Sequence, residues 1–265
     1  MAKDSQTPTV HELGCDHGRG PVLYASMPCS NATGKGCGAN SIEAKRRLVS
    51  ILLDHLAAMK RPLGKRLHPI NRTGAPIKLL CGPLGRPFLR LGGNQNPAIS
   101  FSQGGGKVWA AICGDESDLG IDAAEFDEFQ GKYPFHRVFR AKELQQALKL
   151  ADGNLGKAAA LLWSAKEAVV KALGCGFHLV APRQITICQW AKRVVEEGDA
   201  HALRVGLSAQ ALRQLPMGAG QTLWVRSFPQ TKGWLSIALL NRHPRADGWS
   251  RCLDSSARWG QRLDT

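Results

Sequence analysis

LWSAKEAVVKALG, residues 162–174, reads as helix and carries Glu167 and Lys171 four positions apart. An i, i+4 pair faces one way, so this carboxylate and this ammonium can act on one ligand. GIDAAE, residues 120–125, lies in a stretch that reads as strand and brings a second carboxylate, Asp122, beside a Gly-Ile turn. Carboxylates from two segments plus a lysine suit a divalent cation that holds phosphate oxygens. These residues point to phosphate chemistry and no further.

Working outward, NLGKAAALLWSAKEAVVKALG (154–174) is predicted as one long helix, capped by Asn154 and stopped by Gly174. FHRVFRAKELQQALKL (135–150) is predicted as another, and DGN (152–154) separates the two. SIEAKRRLVSILLDHLAAM (41–59) sets Leu48, Ile51, Leu52, His55 and Leu56 at helical spacing, with Ser41 as N-cap. Strands are predicted at 77–80, 86–91, 98–102, 107–113 and 119–126, then at 178–188, 201–208, 222–228 and 233–240. KVWAAIC (107–113) leads into GDESD, expected to be an exposed acidic turn. Residues 60–78 are broken by Pro62, Pro69, Gly74 and Pro76 and read as connection. The expected organisation is an N-terminal extension, partly irregular, over 1–40; an N-terminal half over 41–118; a C-terminal half with the charged motifs over 119–243; and a disordered tail over 244–265. The two halves share no convincing sequence repeat.

With 265 residues, 43% of them hydrophobic, the chain can bury a sizeable core. No run approaches the roughly 20 apolar residues that a membrane span needs. The first residues, MAKDSQTPTVHELG, lack an apolar signal core, and the eight cysteines contain no C-x-x-C. They read as reduced thiols of a cytoplasmic protein. The spacing of His11, Cys15 and His17 could hold a metal, but disorder is the expectation for this terminal segment. The net charge of +14 favours anionic partners. Nucleic acid is one such partner, yet aromatics are only 6% and no recognition motif accompanies the charge.

A G-[IV]-D turn followed by W-S-x-K-E-x-x-x-K resembles the 4′-phosphopantetheinyl transferases. Here the second motif is complete in Trp163, Ser164, Lys166, Glu167 and Lys171. GRPFL (85–89) and ISFSQGGGKVWAAI (99–112) are similar to the family's G-K-P and S-F-S-H-S stretches. Order and spacing resemble the larger, pseudo-dimeric, surfactin-synthetase-activating branch. The resemblance implies two similar α+β halves about a pseudo-twofold, with the active site between them, in a monomer. It implies transfer of 4′-phosphopantetheine from coenzyme A to a serine of an acidic apo acyl or peptidyl carrier protein, with Mg²⁺ and release of 3′,5′-ADP. No nucleic acid and no membrane enter that reading.

The resemblance also assigns roles. Asp122 and Glu167 would hold the metal, and Glu167 would help take the serine proton. Lys171 would neutralise the diphosphate. Arg86 stands in the lysine position of G-K-P, and its planar fork suits a coenzyme A phosphate. Ser102 and Gln103 stand in the S-H position. Gln103 can donate a hydrogen bond but supplies no charge, so binding of the 3′-phosphate is weakened or Arg86 and Lys107 compensate. Lys166 lies about 140° round the helix from Lys171. It is placed at the edge of the coenzyme site or facing the carrier.

One departure bears on the metal. Family members often read G-[IV]-D-x-E, and the last position here is Ala124. Glu125 is one residue late and points to the other face of a strand. Gln103 is a candidate substitute ligand. Two rival readings stand beside the active transferase: a silent homologue that binds coenzyme A or carrier protein, and a basic nucleic-acid-binding protein.

Overall fold

The computed structural model describes residues 7–13, 21–29, 38–59, 77–82, 84–91, 96–114, 118–195, 198–215 and 223–240. They form a mixed α+β fold of two antiparallel sheets. The first, in order β1-β2-β6-β5, comprises β1 (Val10–Leu13), β2 (Val22–Pro28), β5 (Ala98–Gly104) and β6 (Lys107–Cys113). The second, in order β7-β11-β10-β9-β8, comprises β7 (Asp118–Glu125), β8 (Ile185–Val195), β9 (Gly198–Leu207), β10 (Leu223–Gln230) and β11 (Gly233–Leu240). A separate hairpin joins β3 (Lys78–Cys81) to β4 (Pro87–Arg90). The helices are α1 (Gly38–Ala58), α2 (Phe135–Val138), α3 (Ala141–Leu150), α4 (Leu155–Ala172) and α5 (Ala209–Gln214). None among the described residues is long and apolar enough to cross a membrane.

Alternation in the strands sorts the core into layers. Leu23, Ile99, Val108, Ala110 and Ile112 face α1, which buries Leu48, Val49, Leu52, Leu53 and Leu56. The opposite face of that sheet, with Val22, Tyr24, Trp109 and Ala111, packs on Leu119, Ile121, Leu235 and Ile237 of the second sheet. The far face of the second sheet, with Ala124, Leu203, Val225 and Ala238, packs on the alanine-rich α4. Helix, sheet, sheet and helix therefore stack in that order.

Two features bring α4 and β7 together. A methyl placed on Gly120 would run into the Ala168 carbonyl, so only glycine lets the helix lie this close to the strand. Beyond that point Ser164 Oγ meets Ser236 Oγ at 2.8 Å, and Ser236 Oγ meets Ser227 Oγ at 2.7 Å. All three serines are fully buried, and the chain of hydroxyls satisfies them within an apolar layer.

β5 and β7 are the abutting edges of the two sheets. Ile121 N donates to Ser100 Oγ and Ala123 N to Ser102 Oγ, both at 3.1 Å, and Gly105 N donates to Glu125 Oε1 at 2.7 Å. The partners rise together along both strands, so the two edges run in the same direction. Serine hydroxyls thus take the N–H groups that an edge strand leaves unpaired.

Several expectations are corrected here. Ser41 lies inside α1, not at its cap, and its hydroxyl accepts from Gln103 Nε2 at 2.7 Å. His55 is exposed and turns back onto Ile51 O, while Leu53 and Val49 take the buried positions. The predicted 135–150 helix breaks at Phe139 and Arg140, because Arg140 is extended and caps α3 through Glu143. The predicted 178–188 strand begins only at Ile185, after short 3-10 turns at 176–178 and 182–184. Asp118 opens β7 and is buried, so it is no part of an exposed turn. His11 belongs to β1, stacked 5.0 Å from Tyr24. Cys15, His17, most of the 60–78 connection, Asp115–Ser117 and the 244–265 tail lie outside the described residues.

Candidate active site

Asp122 is a buried carboxylate on the edge strand β7, where sheet seam and helix meet. Its Oδ1 accepts from Lys171 Nζ of α4 at 2.6 Å and from Ser102 Oγ of β5 at 2.8 Å. Lys171 also donates to Ile121 O at 3.2 Å and lies 3.6 Å from Glu167 Oε2, one turn back on its own helix. Three segments distant in sequence therefore converge on one carboxylate oxygen. Lys171 and Glu167 are 27% and 26% exposed, so the cluster opens to solvent on the helix side.

The electrostatics are unbalanced. Burial pushes the Asp122 carboxyl up from 3.8 to about 7; Lys171 opposes that rise and the neighbouring Glu167 adds to it. A buried carboxylate beside a second one gains from an additional positive charge at this point. Ala124, two residues along, packs in the apolar layer under α4 and offers no ligand. Glu125 faces the seam, where it accepts from Gly105 N. No group of three or more metal-ligating side chains occurs among the described residues.

Comparison with known proteins bears on this cluster directly. Residues 118–211, which are 94 of the chain's 265, match the ACPS family model, the 4′-phosphopantetheinyl transferase superfamily. Over this stretch the chain is similar to that superfamily. The matched residues include Asp122, Glu167 and Lys171. Among solved structures, the Chronobacterium ammoniagenes ACPS-CoA complex is similar over 49% of this chain and 99% of that chain, at 19% identity and a TM-score of 0.35. No curated protein matches the chain.

Not every residue of the superfamily motif reaches the cluster. Lys166 is fully buried on the other side of α4. Its ammonium is ion-paired with Glu143, donates to Pro182 O at 3.0 Å and Val138 O at 3.4 Å, and lies 5.4 Å from the centre of the Phe139 ring. This corrects the expectation that it borders the coenzyme site or faces a carrier. Burial pushes the Lys166 amine down, and Glu143 counteracts this. Trp163 packs between Phe129 and Phe177.

Gln103 is corrected as a candidate metal ligand. It follows Ser102 in a strand, so it faces the opposite side and donates to Ser41 of α1, away from Asp122. Arg86 is ion-paired with Asp118 and lies against Gly174, just past the C-terminal end of α4. Ser102 does join the cluster, but its hydroxyl is engaged by Asp122 and Ala123 N. Sequence reasoning missed Glu143 and the buried Ser227 and Ser236. The lone serine within GWLSIALL was the available signal for Ser236.

Proposed function

We propose that the chain is an active phosphopantetheinyl transferase of the larger, pseudo-dimeric type, acting as a monomer. The observation that carries this reading is the convergence of Asp122, Glu167 and Lys171 within the stretch matched to the superfamily. In the proposed reaction a carrier-protein serine hydroxyl attacks the β-phosphorus of coenzyme A. The new Ser–O–P bond forms as the bond to the bridging oxygen of 3′,5′-ADP breaks.

The residues fit a magnesium ion. Asp122 and Glu167 supply hard oxygens, and a half-open site leaves room for the waters and phosphate oxygens that Mg²⁺ retains. Asp122, held up by burial and by Glu167, gains from such a cation. When bound, the ion would neutralise the diphosphate and polarise its oxygens. Glu167, on the solvent side, would accept the serine proton directly or through water. Lys171 has two carboxylates within 4 Å and would turn toward the diphosphate, holding the leaving 3′,5′-ADP. Ser102 would orient Asp122. Arg86, at the end of α4, would serve the coenzyme phosphates by exchanging Asp118 for them.

Intact-mass analysis of apo acyl and peptidyl carrier proteins, incubated with the protein, coenzyme A and Mg²⁺, tests the reading. One added phosphopantetheine, lost in Glu167→Ala and without metal, is the expected result. The second reading, a silent binder, rests on Ala124: the usual third carboxylate is replaced by a methyl buried in the core. Coenzyme A binding with no mass gain on any carrier would select it.

A further inference from the structure

We propose that the outer face of the β3–β4 hairpin is the docking surface for the acidic carrier protein, an inference that rests on the transferase reading. Among the described residues eight large hydrophobics are exposed, and three of them, Ile77, Leu84 and Phe88, fall within residues 77–88, with Phe88 on the outer face, Leu84 in the turn and Ile77 just before β3. The pairing register explains how the face is built. Leu79 opposes Leu89, and Leu89 is fully buried against the α1 layer. The alternate positions therefore point outward: Leu80 opposite Phe88, and Lys78 opposite Arg90. Phe88 is 40% exposed, and Lys78 and Arg90 are both exposed.

An apolar centre with two cations beside it is not what a hairpin needs to fold, because Leu79 and Leu89 already supply its buried side. It does match a partner with apolar side chains set among carboxylates, such as an acidic helix. The face also adjoins the chemistry. Arg86 leads directly into β4 and lies against Gly174, three residues beyond Lys171 on α4. A protein seated on Phe88 and Arg90 would have the open side of the Asp122–Lys171–Glu167 cluster nearby.

The test compares wild type with Phe88→Asp and with Lys78→Glu/Arg90→Glu, using a fluorescently labelled apo acyl carrier protein and a labelled apo peptidyl carrier protein. Trp224→Asp, the same kind of change at an exposed aromatic residue on β10, is the control. The hairpin variants are expected to raise KM and Kd for the carrier by about tenfold or more. KM for coenzyme A and the melting temperature should stay at wild-type values, and the control should bind carrier normally. Carrier affinity unchanged in both folded hairpin variants would overturn the proposal while leaving the transferase reading in place. Carrier binding that is lost in the variants, with no transfer by wild type, would retain the surface and remove the transferase reading. Wild type that neither binds nor modifies any carrier would remove both.

Discussion

Lys166 and Lys171 stand on the same helix, five residues apart, and each is paired with a carboxylate, yet they do different work. Lys166 is fully buried, and its ammonium donates to Glu143, Pro182 O and Val138 O. Those bonds use all three N–H groups, so no donor is left for a ligand. Lys171 keeps a quarter of its side chain in solvent and has Asp122 and Glu167 within 4 Å. Its ammonium reaches solvent on one side, which is where the proposed phosphate would approach it. A lysine in a motif can serve a ligand only where the fold lets the ligand reach its ammonium.

The largest expected effect breaks this comparison on the open side. Glu167→Ala or Lys171→Ala should lower transfer by about 10²–10³-fold, the usual loss for one preorganised charge. Glu167→Ala should hardly move the melting temperature, since its side chain is partly solvated, whereas Lys171→Ala leaves the buried Asp122 without its cation and should lower it. A variant that retained wild-type turnover would remove its residue from the chemistry.

The closed side should respond in the opposite way. Lys166→Met leaves Glu143 buried without its cation and should cost about 3–5 kcal/mol of stability. Lys166→Met with Glu143→Gln should recover part of that loss, because the amide oxygen can still accept from Arg140 N or Ile187 N. Urea unfolding of the singles and the double gives the coupling. Equal stability of Lys166→Met and wild type would contradict the burial described here.

Ser102 tests whether the seam sets the geometry of the open cluster. Ser102→Ala leaves Ala123 N without its acceptor, at about 1–3 kcal/mol. It should also raise the Mg²⁺ concentration needed for half-maximal transfer, while KM for coenzyme A stays the same. A raised KM for coenzyme A alone would instead make Ser102 a coenzyme contact.

The last effect concerns pH. An acid whose pKa rises on folding, from 3.8 to about 7 for Asp122, binds its proton more tightly in the native state. Its contribution to stability is fully present below pH 4 and is lost as pH rises through 7. In metal-free protein, wild type minus Asp122→Asn should therefore show declining relative stability between pH 4 and 8. Thermal melts across that range measure it, and parallel profiles would show that Asp122 is not perturbed.

The elements differ in how openly the sequence declared them. α4 is legible from its alanine- and leucine-rich run, its Asn154 cap and the Gly174 stop, and the structure runs it from Leu155 to Ala172. β6, β7, β10 and β11 are legible from their apolar runs. The 135–150 segment misled because its periodicity is helical throughout. What interrupts it is the extended backbone of Phe139 and Arg140, where Arg140 N donates to Glu143 and starts a new helix. His55 misled because spacing places a side chain on a face but does not say how wide that face is.

The sequence by itself determined which side chains could do chemistry. Asp122, Glu167 and Lys171 are set by residue type and by an i, i+4 spacing that any helix honours. Only the tertiary structure decided which motif residues are available. Gln103 and Ser102 are neighbours, but strand alternation sends one to α1 and the other to Asp122. Lys166 and Glu167 are neighbours, but a 100° step round the helix buries one against Glu143 and leaves the other at the open edge. Local spacing gives a side chain its direction, and long-range packing decides what lies in that direction.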